Sequence, residues 1–119
     1  YNANPMSMRA ALDDLAETAP GRRVAVLGDM LELGPDEGRF HAELGAHARD
    51  AGVDVLVTVG ALSAGAGAEH GGDVHAVADA DAAVAMLPGL LQPGDTVLVK
   101  GSRGVGLEVV ALALEAREA

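Results

Sequence analysis

Short apolar runs recur along this chain, flanked by glycine, proline or aspartate residues. They are four to six residues long and rich in valine, leucine and alanine, which is typical of strands buried on both faces of a parallel sheet. The predicted strands are residues 24–27, 54–59, 74–77 and 96–99.

Stretches with helical spacing lie before, between and after these runs. Met8, Ala11, Leu12 and Leu15 fall at i, i+3, i+4 and i+7, so they share one apolar face. Turn-forming and capping residues set the ends of the helices. The predicted helices are residues 5–19 with Asn4 as N-cap, 35–51, a short helix within 61–72, a helix capped by Asp79 or Asp81 and ended near Leu87 by Pro88-Gly89, and 105–117.

Strands that alternate with helices predict an α/β fold. We expect a three-layer, Rossmann-like domain with a mainly parallel sheet of four to five strands and helices on both faces. The first and fourth strands are expected side by side at the centre, with the second and third extending outward from the first. Residues 28–34 and 100–104 would then meet at the switch point, where ligands bind in such sheets.

Composition narrows the class of protein further. The chain has 119 residues, enough for one domain, and it has no cysteine, which excludes disulfides and thiolate metal sites. A net charge of −10 disfavours nucleic acid as a partner, and no apolar stretch is long enough to span a membrane. The chain opens at Tyr1 without an initiator methionine, so we expect it to be a piece of a longer protein.

A second feature is the pair of cations in residues 100–104. Lys100 and Arg103 follow the fourth strand, and Ser102 is a good N-cap for the helix expected next. Free N–H groups at a helix start, together with two cations, outline a site for a carboxylate or phosphate. The alternative is structural, with Lys100 paired to Asp29 or Glu32.

The opposite loop carries carboxylates. Asp29 and Glu32 could act as acid and base or bind an amine, although loop carboxylates are more often simply solvated. His41 lies near the start of the second helix, on the side that could approach this loop, and the four histidines are too scattered for a metal site. The single lysine, Lys100, precedes its glycine, so no phosphate-binding P-loop is present.

Three motifs in order resemble one family. They are Tyr1-Asn2-Ala3-Asn4-Pro5-Met6-Ser7-Met8, Val26-Leu27-Gly28-Asp29-Met30-Leu31-Glu32-Leu33-Gly34 with His41 following, and Val99-Lys100-Gly101-Ser102-Arg103. Together they are similar to the C-terminal domain of the Mur ligases of cell-wall synthesis, in the branch that attaches D-alanyl-D-alanine. The resemblance spans nearly the whole chain.

This resemblance implies a function and a set of roles. Mur ligases have a UDP-sugar domain, a central ATPase domain that uses magnesium, and this C-terminal domain, which closes over the second. ATP phosphorylates the carboxylate of UDP-N-acetylmuramoyl-tripeptide, and the dipeptide amine attacks the acyl phosphate. The motif match assigns Tyr1, Asn2 and Asn4 to the ribose and adenine of ATP. It places Asp29, Glu32, His41, Lys100, Ser102 and Arg103 on the side that receives the peptide substrates.

The chain also departs from the family pattern. Members carry an acidic residue, at the end of a preceding strand, just before the motif that opens this chain at Tyr1. We therefore expect an open sheet edge, no stable binding of ATP or magnesium by the chain alone, and no activity without the upstream domains. A cytoplasmic location is expected. The alternatives are a stand-alone module that binds a small anion at Lys100 and Arg103, and a purely structural domain.

Overall fold

Five helices and four strands alternate along the described part of the chain. The computed structural model describes residues 3–118, with side chains through residue 116. The strands are β1 (Arg23–Gly28), β2 (Val55–Val59), β3 (Asp73–Val77) and β4 (Thr96–Lys100). The helices are α1 (Pro5–Thr18), α2 (Glu37–Asp50), α3 (Ala64–His70), α4 (Ala80–Leu90) and α5 (Glu108–Glu118), with 3₁₀ turns at Gly34–Asp36 and Arg103–Val105.

The four strands form one parallel sheet in the order β3-β2-β1-β4. Val24 of β1 lies opposite Val55 on one side and Val97 on the other. The predicted neighbours are therefore confirmed. The expected central position of β4 is not observed, since within residues 3–118 no strand pairs with its outer edge and its residues are only half-buried.

Two apolar cores cover the two faces of the sheet. Successive residues of a strand point to opposite faces, so Leu27 packs on one side and Val26 on the other. The first core joins the sheet to α1 and α2, with Met8, Leu12 and Leu44 fully or almost fully buried. The second joins it to α4 and α5. This is the predicted three-layer arrangement.

The first helix begins as its sequence predicts. Asn4 caps α1 by accepting a hydrogen bond from the Ser7 N–H at 2.9 Å, and the Ser7 hydroxyl accepts one from the Asn4 N–H at 3.2 Å. Pro5 takes the first helical position, where its missing N–H costs nothing. This reciprocal capping box fixes where α1 starts.

Two predicted helix boundaries are wrong. Helix α4, capped by Asp79, continues through Pro88 to Leu90. The last turn still closes, because the Leu91 N–H donates to the Leu87 carbonyl at 3.0 Å. The last helix begins at Glu108 rather than Val105, since Gly106 adopts φ 75°, a left-handed conformation that ends the preceding 3₁₀ turn.

Candidate functional site

The loops after β1 and β4 meet at the carboxyl edge of the sheet, as predicted. We call residues 28–34 the β1 loop and residues 100–104 the β4 loop. Leu27 lies opposite Lys100 in the sheet register, which brings the two loops side by side. A Cβ on Gly101 would lie 2.9 Å from the Cα of Gly28, so the two backbones can approach this closely because residue 101 is glycine.

Ser102 joins the two loops by a pair of hydrogen bonds. Its N–H donates to the Asp29 carbonyl at 3.0 Å, and its hydroxyl oxygen accepts from the Leu31 N–H at 2.8 Å. The side chain makes no cap hydrogen bond to the turn that follows. The prediction that Ser102 caps the last helix is therefore wrong, because its hydroxyl is already committed to the β1 loop.

His41 approaches the β1 loop from α2, as its position in the sequence predicts. Its ring is completely buried, and Nε2 accepts a hydrogen bond from the Met30 N–H at 2.9 Å. Nδ1 lies 2.7 Å from the Glu37 carbonyl and donates to it. Since one nitrogen must accept and the other must donate, these partners assign the neutral Nδ1–H tautomer.

Asp29 ties the β1 loop to the segment after β2. Its carboxylate oxygen accepts from the Ser63 N–H at 2.7 Å, and its own N–H donates to the Val59 carbonyl at 3.2 Å. Gly60, at φ 113°, leaves room for this carboxylate, since a Cβ there would lie 2.5 Å from it. Sequence reasoning missed Gly60 and Ser63, whose only local signal is a glycine and a serine after a strand.

Glu32 has an unusual backbone conformation. Among the described residues it is the one non-glycine residue with positive φ, at 63°, and it is exposed. This left-handed conformation costs a residue with a Cβ roughly 1–2 kcal/mol. The hydrogen bonds that hold the two preceding residues, Met30 and Leu31, keep the chain in this path.

The two cations of the β4 loop are not neutralised by neighbouring carboxylates. Within the described part of the chain, neither Lys100 nor Arg103 forms an ion pair, and the predicted alternative pairing of Lys100 with Asp29 or Glu32 is not observed. Both cations line an open groove of about 750 Å³ beside β4. The groove is also lined by Ser102, by Ala11 of α1, by Leu107 just before α5, and by Glu108 and Ala111 of α5, so one carboxylate shares the groove with the two cations.

The residues proposed for nucleotide contact lie at the start of the chain. Asn4 is exposed, and its side-chain oxygen is engaged in the cap of α1. Tyr1 and Asn2 lie outside the described residues. The residues described contain no group of three or more side chains suited to hold a metal ion, and no helix among them is long and apolar enough to cross a membrane.

The fold and the position of its polar loops define a class of protein. The fold is a parallel, Rossmann-like α/β domain, with its polar and charged loops gathered at the carboxyl edge of β1 and β4. Comparison with known families then identifies its relatives. The family model described as Mur ligase, glutamate ligase domain, matches residues 1–103. The chain belongs to the Mur ligase family.

Individual relatives share a specific name. The UDP-N-acetylmuramoyl-tripeptide–D-alanyl-D-alanine ligase of Mycobacterium tuberculosis is 46% identical over 98% of this chain. A MurF crystal structure from Acinetobacter baumannii superimposes with a TM-score of 0.84 at 34% identity, over 96% of this chain. The MurF ligase of Thermotoga maritima in complex with ADP gives 0.79 at 27% identity, over 98%.

The match covers only part of each relative. The chain spans 28% of the Mycobacterium tuberculosis ligase and 26% of each of the two crystallised MurF chains. The similarity is therefore that of one domain to part of a larger protein.

Proposed function

We propose that this chain is the C-terminal, closing domain of an ATP-dependent ligase that joins D-alanyl-D-alanine to UDP-N-acetylmuramoyl-tripeptide. The observation that carries this proposal is the 46% identity over 98% of the chain to a ligase of that name. The geometry supports it, because the two motif loops form one polar rim at the switch point of the sheet. We propose a cytoplasmic location for this ligase.

The proposed reaction forms one amide bond. The tripeptide carboxylate attacks the γ-phosphate of ATP, giving an acyl phosphate and ADP. The dipeptide amine then attacks the acyl carbon, the C–O bond to phosphate breaks, and inorganic phosphate leaves with a proton released from the nitrogen. Binding the two peptides in the right orientation lowers the barrier, because the second step otherwise depends on a rare encounter.

The charged rim suits the ends of peptide substrates. Lys100 and Arg103 have no carboxylate partner within the described chain, so they remain available to a substrate carboxylate, which Arg103 can bind through two parallel hydrogen bonds. Glu32 carries an exposed carboxylate on the adjoining loop and suits an ammonium group. Asp29, His41 and Ser102 complete the proposed substrate side behind these three residues.

The nucleotide is proposed to bind at the other motif. Tyr1, Asn2 and Asn4 would contact the ribose and adenine of ATP, with Asn4 fixed by the capping box of α1. The phosphates and magnesium are assigned to the rest of the ligase. The described residues offer no metal-binding cluster, and the chain has no P-loop lysine, so they do not fit those groups.

A comparison of two proteins tests this function. The full-length protein should release phosphate from ATP only when both the tripeptide nucleotide and D-alanyl-D-alanine are present. The 119-residue chain alone should release none. Full-length protein without dipeptide-dependent phosphate release would contradict the proposal.

A stand-alone anion-binding module is the second candidate, because Lys100 and Arg103 line an open groove without ion-pair partners among the described residues. Calorimetry of the 119-residue chain with phosphate and with D-alanyl-D-alanine distinguishes the two. Tight binding by the chain alone favours the module. Binding that requires the full-length protein favours the ligase.

A further inference from the structure

Two of the proposed substrate residues have no surface to offer a substrate. His41 is 0% exposed and Ser102 is 1% exposed. Their hydrogen-bonding atoms instead face the backbone of the β1 loop. We infer, on the basis of the proposed function, that His41 and Ser102 are positioning residues that hold this loop so that Glu32 and Arg103 present one fixed arrangement to the incoming dipeptide.

The two side chains hold neighbouring atoms of the loop. Nε2 of His41 accepts from the Met30 N–H at 2.9 Å, and the hydroxyl of Ser102 accepts from the Leu31 N–H at 2.8 Å. Fixing two successive amide groups sets the direction of the chain as it enters Glu32. The left-handed φ of 63° at Glu32 follows directly after this clamped pair.

We call these two hydrogen bonds to the Met30 and Leu31 N–H groups the clamp. Each of the two residues that form it makes a further hydrogen bond in a different part of the fold. The other ring nitrogen of His41 bonds to the Glu37 carbonyl one turn earlier on α2, so the ring cannot rotate without losing a second bond. Ser102 also donates its own N–H to the Asp29 carbonyl at 3.0 Å. This reciprocal pair of bonds makes the β1 loop and the β4 loop move as one unit, and Arg103 is the next residue.

Removing either acceptor leaves a backbone N–H without its partner. The loop must then shift to find water or another acceptor, because an unpaired buried donor is costly. A displacement of about 1 Å in a substrate-positioning group can reduce turnover as much as 100-fold, even when the change lies away from the reacting atoms. Such a displacement acts on the dipeptide and leaves the nucleotide contacts alone.

Steady-state kinetics of the full-length ligase test the inference. His41→Leu and Ser102→Ala should each raise the KM for D-alanyl-D-alanine about tenfold, with the KM for ATP changed less than about twofold. His41→Gln should restore most of the affinity, because its side-chain oxygen can accept from Met30 near the place of Nε2. Failure of His41→Gln to improve on His41→Leu would overturn the role given to this hydrogen bond.

The chain supplies a matched control for each variant. His70 is also buried, but its ring bonds to the Val53 carbonyl at the other end of the sheet. Thr58 is buried as well, and its hydroxyl has no hydrogen-bond partner among the described residues. His70→Leu and Thr58→Val should leave the KM for the dipeptide unchanged. An equal rise in all four variants would show a general loss of stability and overturn the inference.

Hydrogen exchange of the full-length protein separates the clamp from the proposed reaction. The peptide containing residues 29–33 should be protected, and His41→Leu or Ser102→Ala should increase its exchange rate at least about tenfold. Unchanged exchange in both variants overturns the clamp, whatever the enzyme does. Faster exchange in a protein that shows no dipeptide-dependent turnover would instead refute the proposed function and, with it, the role in positioning substrate.

Discussion

Arg103 is exposed, and it directly follows Ser102, whose hydroxyl accepts the hydrogen bond from the β1 loop. In the proposed full-length ligase, Arg103→Ala should raise the KM for D-alanyl-D-alanine or for the tripeptide nucleotide about tenfold, because the proposed guanidinium–carboxylate contact would be lost. The control is Arg49→Ala, which removes an exposed arginine at the far end of α2. Unchanged kinetics for both peptide substrates would remove Arg103 from the site.

The left-handed backbone conformation of Glu32 should make the domain less stable than it would be with glycine at this position. Glu32→Gly should raise the free energy of unfolding by about 0.5–1 kcal/mol, because glycine tolerates φ 63° and loses only part of that gain through its freer unfolded chain. The same change at Glu43, exposed within α2, should lower it by about 1 kcal/mol. Chemical unfolding measures both, and equal destabilisation would show that Glu32 is not strained.

At the scale of elements, the backbones of α2 and α3 approach each other closely at Gly45 and Ala66. A Cβ on Gly45 would overlap the carbonyl oxygen of Ala66. Gly45→Ala should therefore destabilise the domain by about 3 kcal/mol, since helix backbones must move apart. Gly38→Ala in the same helix meets no atom within 4 Å and should stabilise by about 0.5–1 kcal/mol. Thermal unfolding distinguishes the two, and a Gly45→Ala protein as stable as wild type would contradict this packing.

The strands and their order followed from the sequence more completely than the helix ends did. Apolar runs of the right length, joined by helices, leave few parallel arrangements, and the observed order is the expected one. The last residue of α4 and the first residue of α5 depended on the conformation of single residues. Pro88 was tolerated near the end of a helix, and the left-handed Gly106 delayed the start of the next one. Such outcomes depend on neighbours that a sequence pattern does not contain.

The position of the site in the fold could be predicted from the sequence, but the role of each residue in it could not. The topology was enough to predict that residues 28–34 and 100–104 would meet. It could not separate the exposed Glu32 and Arg103 from the buried His41 and Ser102, because burial depends on how α2 packs against the β1 loop. Nor could it show that Asp29 bonds to Ser63, a contact between loops distant in sequence.

At the scale of the whole molecule, one ion pair joins the amino ends of β1 and β4. Arg22 contacts both carboxylate oxygens of Asp95 at 2.8 Å, and the Asp95 side chain is only 4% exposed. These hydrogen bonds hold the pKa of Asp95 below its usual value. The stabilisation is therefore fully present above about pH 4 and is lost as the pH falls through the lowered pKa.

Unfolding by urea at two pH values tests this pair. Asp95→Asn should lower the free energy of unfolding at pH 7, and its difference from wild type should shrink in strong acid, where Asp95 of the wild type is also neutral. Asp50→Asn, which changes an exposed carboxylate in a long 3.5 Å pair, should have little effect at either pH. A constant difference between Asp95→Asn and wild type across the pH range would contradict the titration.

The pairing of β1 with β4 has a further consequence during synthesis of the protein. The polar rim is formed by the loops that follow β1 and β4, and the chain makes β2, β3 and three α-helices between these two strands. A growing chain on the ribosome therefore has no rim until β4 has emerged. Until then no ligand that binds at the rim can stabilise the nascent domain, and one edge of β1 stays unpaired.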